Sequence, residues 1–335
     1  MAKLPDSIKE NISLLDVHTH VGVDPRLYLN HSLPYCRSID VAHAEAVAVG
    51  INRTVCFPWV TSLYYDLAAL ADGGTVIITG NGIGRAPFHF ENEQMLRQLY
   101  ELFPGYSSHF IPFVIVDTLR ETAEQVKVLD ELLARFPFYG IKVHPRDTRA
   151  QILTLDREGR HILEFAKAHD FPILIHTACT DLDPLSQFTD VMTLADRHPD
   201  LRWCAAHFCG FNEAFFKEAN RTENVWVDSA ALTIGCETVV EGLNIYESGE
   251  AKIPADYRRP EEVFRVLAER YPNTFMFGTD NPAHSWIDVT TFADGKVAKC
   301  DYRSTMAKEV NLLSQVHGEL LQKVAWRNAL RFIEG

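Results

Sequence analysis

Five of the chain's fourteen histidines, His18, His20, His144, His176 and His207, fall at or beside the end of a short apolar or β-branched run. An imidazole is a good zinc ligand at about 2.0–2.1 Å, and residues two apart along a strand share a face. The spacing of His18 and His20 therefore predicts two rings on one side of a strand, ready to hold one ion. His176 follows Ile173-Leu174-Ile175 and His207 follows Cys204-Ala205-Ala206, so both arrive just past buried strand residues. Asp280 ends the run Phe275-Met276-Phe277-Gly278-Thr279, with Asn281-Pro282 stopping it. Imidazoles with one carboxylate form a nitrogen and oxygen set suited to Zn²⁺, Mn²⁺, Ni²⁺ or Fe²⁺. One histidine at a strand end is more often a hydrogen-bonded structural residue, and His-x-His alone is a weak motif. Five at equivalent places, with an aspartate ending the last strand, point to a metal.

Converging those side chains requires a scaffold that brings many strand ends together. Apolar runs at 13–20, 51–57, 110–116, 139–144, 172–177, 201–207, 223–229 and 274–280 alternate, from residue 109 onward, with longer amphipathic stretches. That rhythm predicts parallel strands joined by crossover helices, and eight strands are enough to close a (β/α)₈ TIM barrel whose active site lies at the strand C-termini. The fold class is α/β, read as one domain over 1–335 with inserted loops at 60–92 and 236–258. Ala123, Val126, Leu129 and Leu133 predict a helix over 119–135 capped by Asp117 or Thr118, and Asp156 is a candidate cap for 157–169. The last thirty residues predict two helices broken at Gly318 and packed on the barrel's outside.

Composition narrows the partners. The chain has 335 residues, 47% of them hydrophobic, and a formal net charge of −13. An excess of acid argues against nucleic acid, which demands concentrated positive charge. Seven cysteines without a CxxC pair suggest neither a disulfide framework nor a thiolate zinc site. No apolar run is long enough for a membrane span, and residues 1–12 lack a signal core. The expectation is a soluble cytoplasmic protein acting on a small molecule, with a homodimer as an option.

Asp16-Val17-His18-Thr19-His20, Gly140-Ile141-Lys142-Val143-His144-Pro145, Ile175-His176-Thr177, Ala206-His207, Val227-Asp228-Ser229 and Gly278-Thr279-Asp280 follow one another in order. In that order they resemble the successive signatures of the amidohydrolase superfamily, and specifically its amidohydrolase-related branch, which also contains aminocarboxymuconate-semialdehyde decarboxylase. The resemblance implies His18, His20 and His176 as ligands of a divalent metal, with zinc the leading choice. It implies Asp280 as ligand and proton carrier, and His207 as ligand or catalytic group. A bound divalent ion lowers the pKa of water from 15.7 towards about 7, which would make Asp280 the acceptor of its proton and His207 a stabiliser of developing oxyanion charge.

Lys142 divides the reading. In binuclear members of the superfamily a carbamylated lysine at the end of the fourth strand bridges two metals, and Lys142 stands on that strand. The other reading is a single metal, with Lys142 or His144 meeting a substrate carboxylate; the branch resembles mononuclear enzymes, so one ion is favoured. Arg146 joins His144 as a substrate-binding candidate. Trp59, Tyr64, Tyr65, His284 and Trp286 lie where substrate would be held, and Asp228 is placed either to orient a histidine or to cap a loop. The expected activity is metal-dependent hydrolysis of an amide, ester or lactone-type bond in a small organic substrate. The alternative is non-oxidative decarboxylation of an unsaturated or aromatic carboxylic acid.

Overall fold

Short, nearly continuous apolar runs build the scaffold, because side chains on a strand point to opposite faces and both faces here are covered. The structure is a computed structural model that describes residues 3–23, 36–59, 85–179, 183–243, 251–282, 285–291, 295 and 297–335. The barrel strands are β1 (Leu15–Val23), β3 (Arg53–Pro58), the pair β4 (Phe110–Pro112) and β5 (Val114–Val116), β6 (Ile141–Val143), β7 (Ile173–Ile175), β8 (Trp203–Ala205), β9 (Val225–Asp228) and β10 (Phe275–Met276). A two-residue strand, β2 (Cys36–Arg37), pairs antiparallel with the far end of β1. Parallel ladders run β1–β3–β4 on one side and β5 through β10 on the other. Backbone bonds join the halves: Phe113 N donates to Cys56 O at 2.9 Å, and Val17 N to Phe277 O at 3.1 Å. Counting β4 and β5 as one interrupted strand, the eight expected strands are present and the ring closes between first and last.

Inside, Leu15, Val55, Ile111, Ile115, Leu174, Cys204, Trp226 and Met276 fill the barrel. Their neighbours Ile141, Ile173, Ile175, Val225 and Phe275 face outward to the helices. The helix Asn328–Glu334 departs from expectation. Rather than lying wholly outside, it sends Ala329, Phe332 and Ile333 into the inner core together with Leu4 and Ile8. The Phe332 ring lies 5.7 Å from Trp226 and 6.3 Å from Phe113. Arg202, just ahead of β8, donates to Phe332 O at 2.8 Å, so this helix plugs the end of the barrel opposite the strand C-termini.

Two expected caps are replaced by other contacts. Asp117 Oδ1 accepts from Leu119 N and Arg120 N, closing a turn, and the helix begins later, at Thr122–Leu133, after Glu121 with φ 49°. Asp156 is held by Arg197 and His198, each at 2.6 Å, while its helix starts at Arg160. Gly318 does mark a break, at φ +61°. Of the supposed loop 236–258, the first part belongs to the helix Leu232–Val240, and 244–250 lie outside the described residues. Likewise 60–84 lie outside them, and the helix His89–Arg97 takes the end of 60–92. An antiparallel hairpin, β11 (Ser285–Thr291) with β12 (Val297–Arg303), was not anticipated. Among the described residues no helix is long and apolar enough to cross a membrane.

Candidate metal centre at the barrel mouth

A bulge in β1 aims the first two histidines. Asp16 is registered with Thr54 and Thr19 with Cys56, so three steps on β1 answer two on β3. Two residues, Val17 and His18, therefore face inward opposite Val55, and His20 follows on the same side. Strict alternation from Leu15 and Val17 would have turned His18 outward. Gly278 on the neighbouring strand leaves the space: a Cβ there would lie 3.1 Å from His18 Cβ and 3.3 Å from Val17 Cγ2.

His18 is fully buried and its Nδ1 lies 2.8 Å from Asp228 Oδ2. A carboxylate accepts only, so Nδ1 carries the proton and the Nε2 lone pair faces the mouth. Burial, reinforced by the Lys142 charge, lowers the His18 pKa to about 3, which keeps the ring neutral and able to ligate. Burial alone would raise Asp228, but His18, His207 and Lys142 outweigh it and hold that carboxyl at about 2. Asp228 Oδ1 also accepts from His207 N at 2.8 Å and Ala230 N at 3.1 Å. Both roles weighed for Asp228, orienting a histidine and capping a loop, are thus filled by its two oxygens.

Asp280 Oδ1 stands 3.3 Å from His18 Nε2 and 3.4 Å from His20 Nε2. Ligand atoms of His18, His20 and Asp280 all lie within 4.8 Å of one another. Two ligands about 2.05 Å from a tetrahedral ion are separated by about 3.3 Å, so both Asp280 contacts have the spacing of ligands on one ion, and the donor chemistry of the set fits a divalent metal. Trp59 stacks on His20 with centroids 4.0 Å apart and planes at 11°, and the Phe57 edge packs on the same ring at 4.7 Å.

His176, expected as a third imidazole ligand, is not part of that close trio. Its Nδ1 lies 2.8 Å from His207 Nε2, while His207 Nδ1 lies 3.2 Å from Ala230 O. The carbonyl can only accept, so His207 donates from Nδ1 and accepts from His176 at Nε2. Both nitrogens of His207 are engaged, and by the same bond His176 donates from Nδ1 and keeps its lone pair at Nε2, while its ring stacks on His144 at 4.0 Å. Burial drives the His176 pKa well below 6.5.

Lys142 is 1% exposed, lies over the Phe57 ring and donates from Nζ to His18 Nε2 at 3.2 Å. That bond uses the lone pair an ion would take, so the two are alternatives. Burial lowers the Lys142 pKa to about 8 against the pull of Asp228 and Asp280. His144 precedes the short helix Pro145–Thr148, and Arg146 in that helix is exposed. Cys204 and Cys209 are buried with pKa values pushed up, as inert packing thiols are. Tyr64, Tyr65 and His284, and the Trp286 side chain, lie outside the described residues.

A sequence model of the amidohydrolase family matches residues 16–334, nearly the whole chain. The chain belongs to the amidohydrolase family. Comparison with curated protein sequences finds no match. Among solved structures, this family member is similar to a dihydroxybenzoic acid decarboxylase from Polaromonas sp. JS666 with bound manganese and the inhibitor 2-nitroresorcinol (10% identity, TM-score 0.57, covering 96% of this chain and 97% of that one). It is also similar to the IDCase of Metarhizium anisopliae (12% identity, TM-score 0.55, 98% of both chains). A third similar structure is the dihydroorotase of Campylobacter jejuni (17% identity, TM-score 0.52, 95% of this chain and 82% of that one). At such identities the likeness is one of fold, the TIM barrel. The amidohydrolase family is metal-dependent, and in this member His18, His20 and Asp280 form the group able to hold the ion.

Sequence reading passed over two contributors to the centre. Gly278 is visible only as part of the Gly-Thr-Asp motif, and Asp16 only as the start of Asp-Val-His-Thr-His. A short polar residue opening a ligand strand, and a glycine two residues before a ligand, are the signals that could have singled them out.

Proposed function

We propose that this chain is a metal-dependent hydrolase that cleaves an ester, lactone or amide bond in a small carboxylate-bearing substrate, with zinc as the metal. The observation carrying the reading is the position of Asp280. Its side chain is 10% exposed, while the His18 and His20 side chains it touches are 0% and 4% exposed. Of the trio, the carboxylate is the member turned towards solvent, where a general base must stand to reach a water.

When bound, the metal supplies Lewis acidity and acidifies water at neutral pH. His18 Nε2, His20 Nε2 and Asp280 would hold it. Asp280 Oδ1 accepts the proton of the attacking water and returns it to the leaving group. Lys142, cationic over much of the neutral range, offsets negative charge growing on the substrate. His176, whose Nδ1–H goes to His207, keeps an Nε2 lone pair that would join His18 and His20 as a third imidazole ligand. Arg146 is exposed and has no ionic or hydrogen-bond partner among the described residues, which leaves its guanidinium for a substrate carboxylate.

The test is a panel of small carboxylate-bearing lactones, esters and amides, assayed by proton release with the zinc-loaded protein, the chelated protein and Asp280→Asn. Hydrolysis lost on chelation, restored by zinc and lowered at least about a hundredfold in Asp280→Asn is expected. CO₂ release from aromatic or unsaturated acids, with no hydrolysis across the panel, would overturn the proposal in favour of decarboxylation.

A further inference from the structure

The two strands that carry the trio are the first and last of the barrel, and the seam between them is secured from the outside by one buried carboxylate. Asp16 Oδ1 accepts from His18 N at 3.0 Å and from Thr279 N at 2.9 Å. Its Oδ2 accepts from Thr19 Oγ1 at 2.7 Å and Thr279 Oγ1 at 2.6 Å. Two donors come from β1 and two from the residue immediately before Asp280. We propose that Asp16 is the positioning residue of the centre: it stabilises the bulge that turns His18 inward and, through Thr279, sets how far Asp280 stands from it.

Ladder geometry explains the need. A bulge in a parallel pair is uncommon and leaves an amide of the extra residue outside the ladder. Here that amide is His18 N–H, and the Asp16 side chain replaces the missing backbone acceptor. Without the replacement the strand gains a bond by returning to regular pairing, in which His18 falls on the outer face. Beyond Asp16, Arg37 repeats the device. Its Nη1 donates to His20 O at 3.1 Å and to Asn281 O at 3.3 Å, while Glu45 Oε2 accepts from Arg37 Nε at 2.8 Å and Asn281 Nδ2 at 3.0 Å. Each ligand strand is thus tied to the other just before and just after its ligands.

The inference rests on the trio being the metal site, so its test carries a readout that does not need the metal. Asp16→Asn, Thr279→Val and Thr279→Ser are compared with the parent in crystal structures, in zinc affinity by competition with a chromophoric chelator, and in the visible spectrum with Co²⁺ in place of zinc. Expected for Asp16→Asn and Thr279→Val are a displaced His18 ring, a loss in zinc affinity of at least about tenfold and an altered Co²⁺ spectrum. Thr279→Ser, which keeps the hydroxyl donor, should restore the parent values. Should Asp16→Asn fail to fold, the two Thr279 variants still decide the matter. Unchanged His18 and Asp280 positions, zinc affinity and spectrum, with only a lowered melting temperature, would overturn the proposal and leave Asp16 a stabilising residue alone. If the parent binds no zinc, the metal reading fails instead, and the crystal structures still judge whether Asp16 places His18.

Discussion

Asp228 Oδ2 lies 2.8 Å from Nδ1 of His18, and this contact between two fully buried groups decides which nitrogen of the ring faces the barrel mouth. Asp228→Asn tests it. An amide has one acceptor oxygen, whereas Asp228 serves His18 with one oxygen and the amides of His207 and Ala230 with the other. Turning the amide oxygen to His18 points its NH₂ at two backbone donors. Zinc affinity should fall about 10–100-fold, as for loss of other hydrogen-bond partners of metal ligands, measured by chelator competition.

Gly278→Ala should strain the same ring from behind. The new methyl would sit 3.1 Å from His18 Cβ and 3.6 Å from Asp228 Cβ, and overpacking of this kind costs about 1–3 kcal/mol. Urea unfolding should report that loss together with weaker zinc binding. A parent-like midpoint and affinity would show that the strands can part here.

Trp59 gives a prediction of opposite sign for two substitutions. Its indole stacks on His20, yet its Nε1 is buried with no hydrogen-bond partner among the described residues. Trp59→Phe keeps a stacking face and removes the orphaned donor, so stability should hold within about 1 kcal/mol or improve. Trp59→Ala removes the wall and should lose about 3–5 kcal/mol in thermal or urea unfolding.

Glu309 predicts a pH dependence of stability. It is fully buried, accepts from Ser304 Oγ at 2.5 Å, and burial raises its pKa from 4.5 to about 7. Between those values the native state holds a proton the unfolded chain has released, so stability falls as pH rises through this window and the loss is complete above about 7. At about 1.36 kcal/mol per pKa unit the effect is at most ~3 kcal/mol. Glu309→Gln, which carries no charge to bury, should therefore gain on the parent in melting temperature between pH 5 and pH 8. An equal difference at both values would sink the assignment.

How much of this was legible in the sequence depends on the range of the interaction involved. All eight strands and the convergence of His18, His20 and Asp280 follow from local apolar runs and from the rule that barrel sites gather at strand C-termini. Parity along β1 did not follow. Counting by twos puts His18 and His20 together, but only the bulge reconciles that pair with inward Leu15 and Val17, and the bulge is held by an Asp16 to Thr279 contact across the whole chain. The bond between His176 and His207 was hidden for a similar reason, since nothing local says that His207 takes the His176 Nδ1. The 122–133 helix shows the same limit: its buried face runs through Gln125, Val128, Leu129 and Leu132. Gln125 is inside because it bonds both backbone groups of Asp117, which no apolar stripe could have indicated. The hairpin β11–β12 had a local signal, Asp294-Gly295 with Gly295 at φ +80°, which the reading did not use.

Closure of the ring between β1 and the last strand has a consequence for how the protein comes into being. His18 and His20 leave the ribosome early, whereas Asp280 emerges only after every other barrel strand has been made. A nascent chain thus offers an ion the two imidazoles without Asp280 until the final barrel strand docks, so tight capture and closure of the ring coincide. An ion bound only to the finished barrel stabilises it by RT ln(1 + [L]/Kd), about 2.7 kcal/mol at a hundred times Kd. Withdrawing it would loosen the joint where the chain's beginning meets its end.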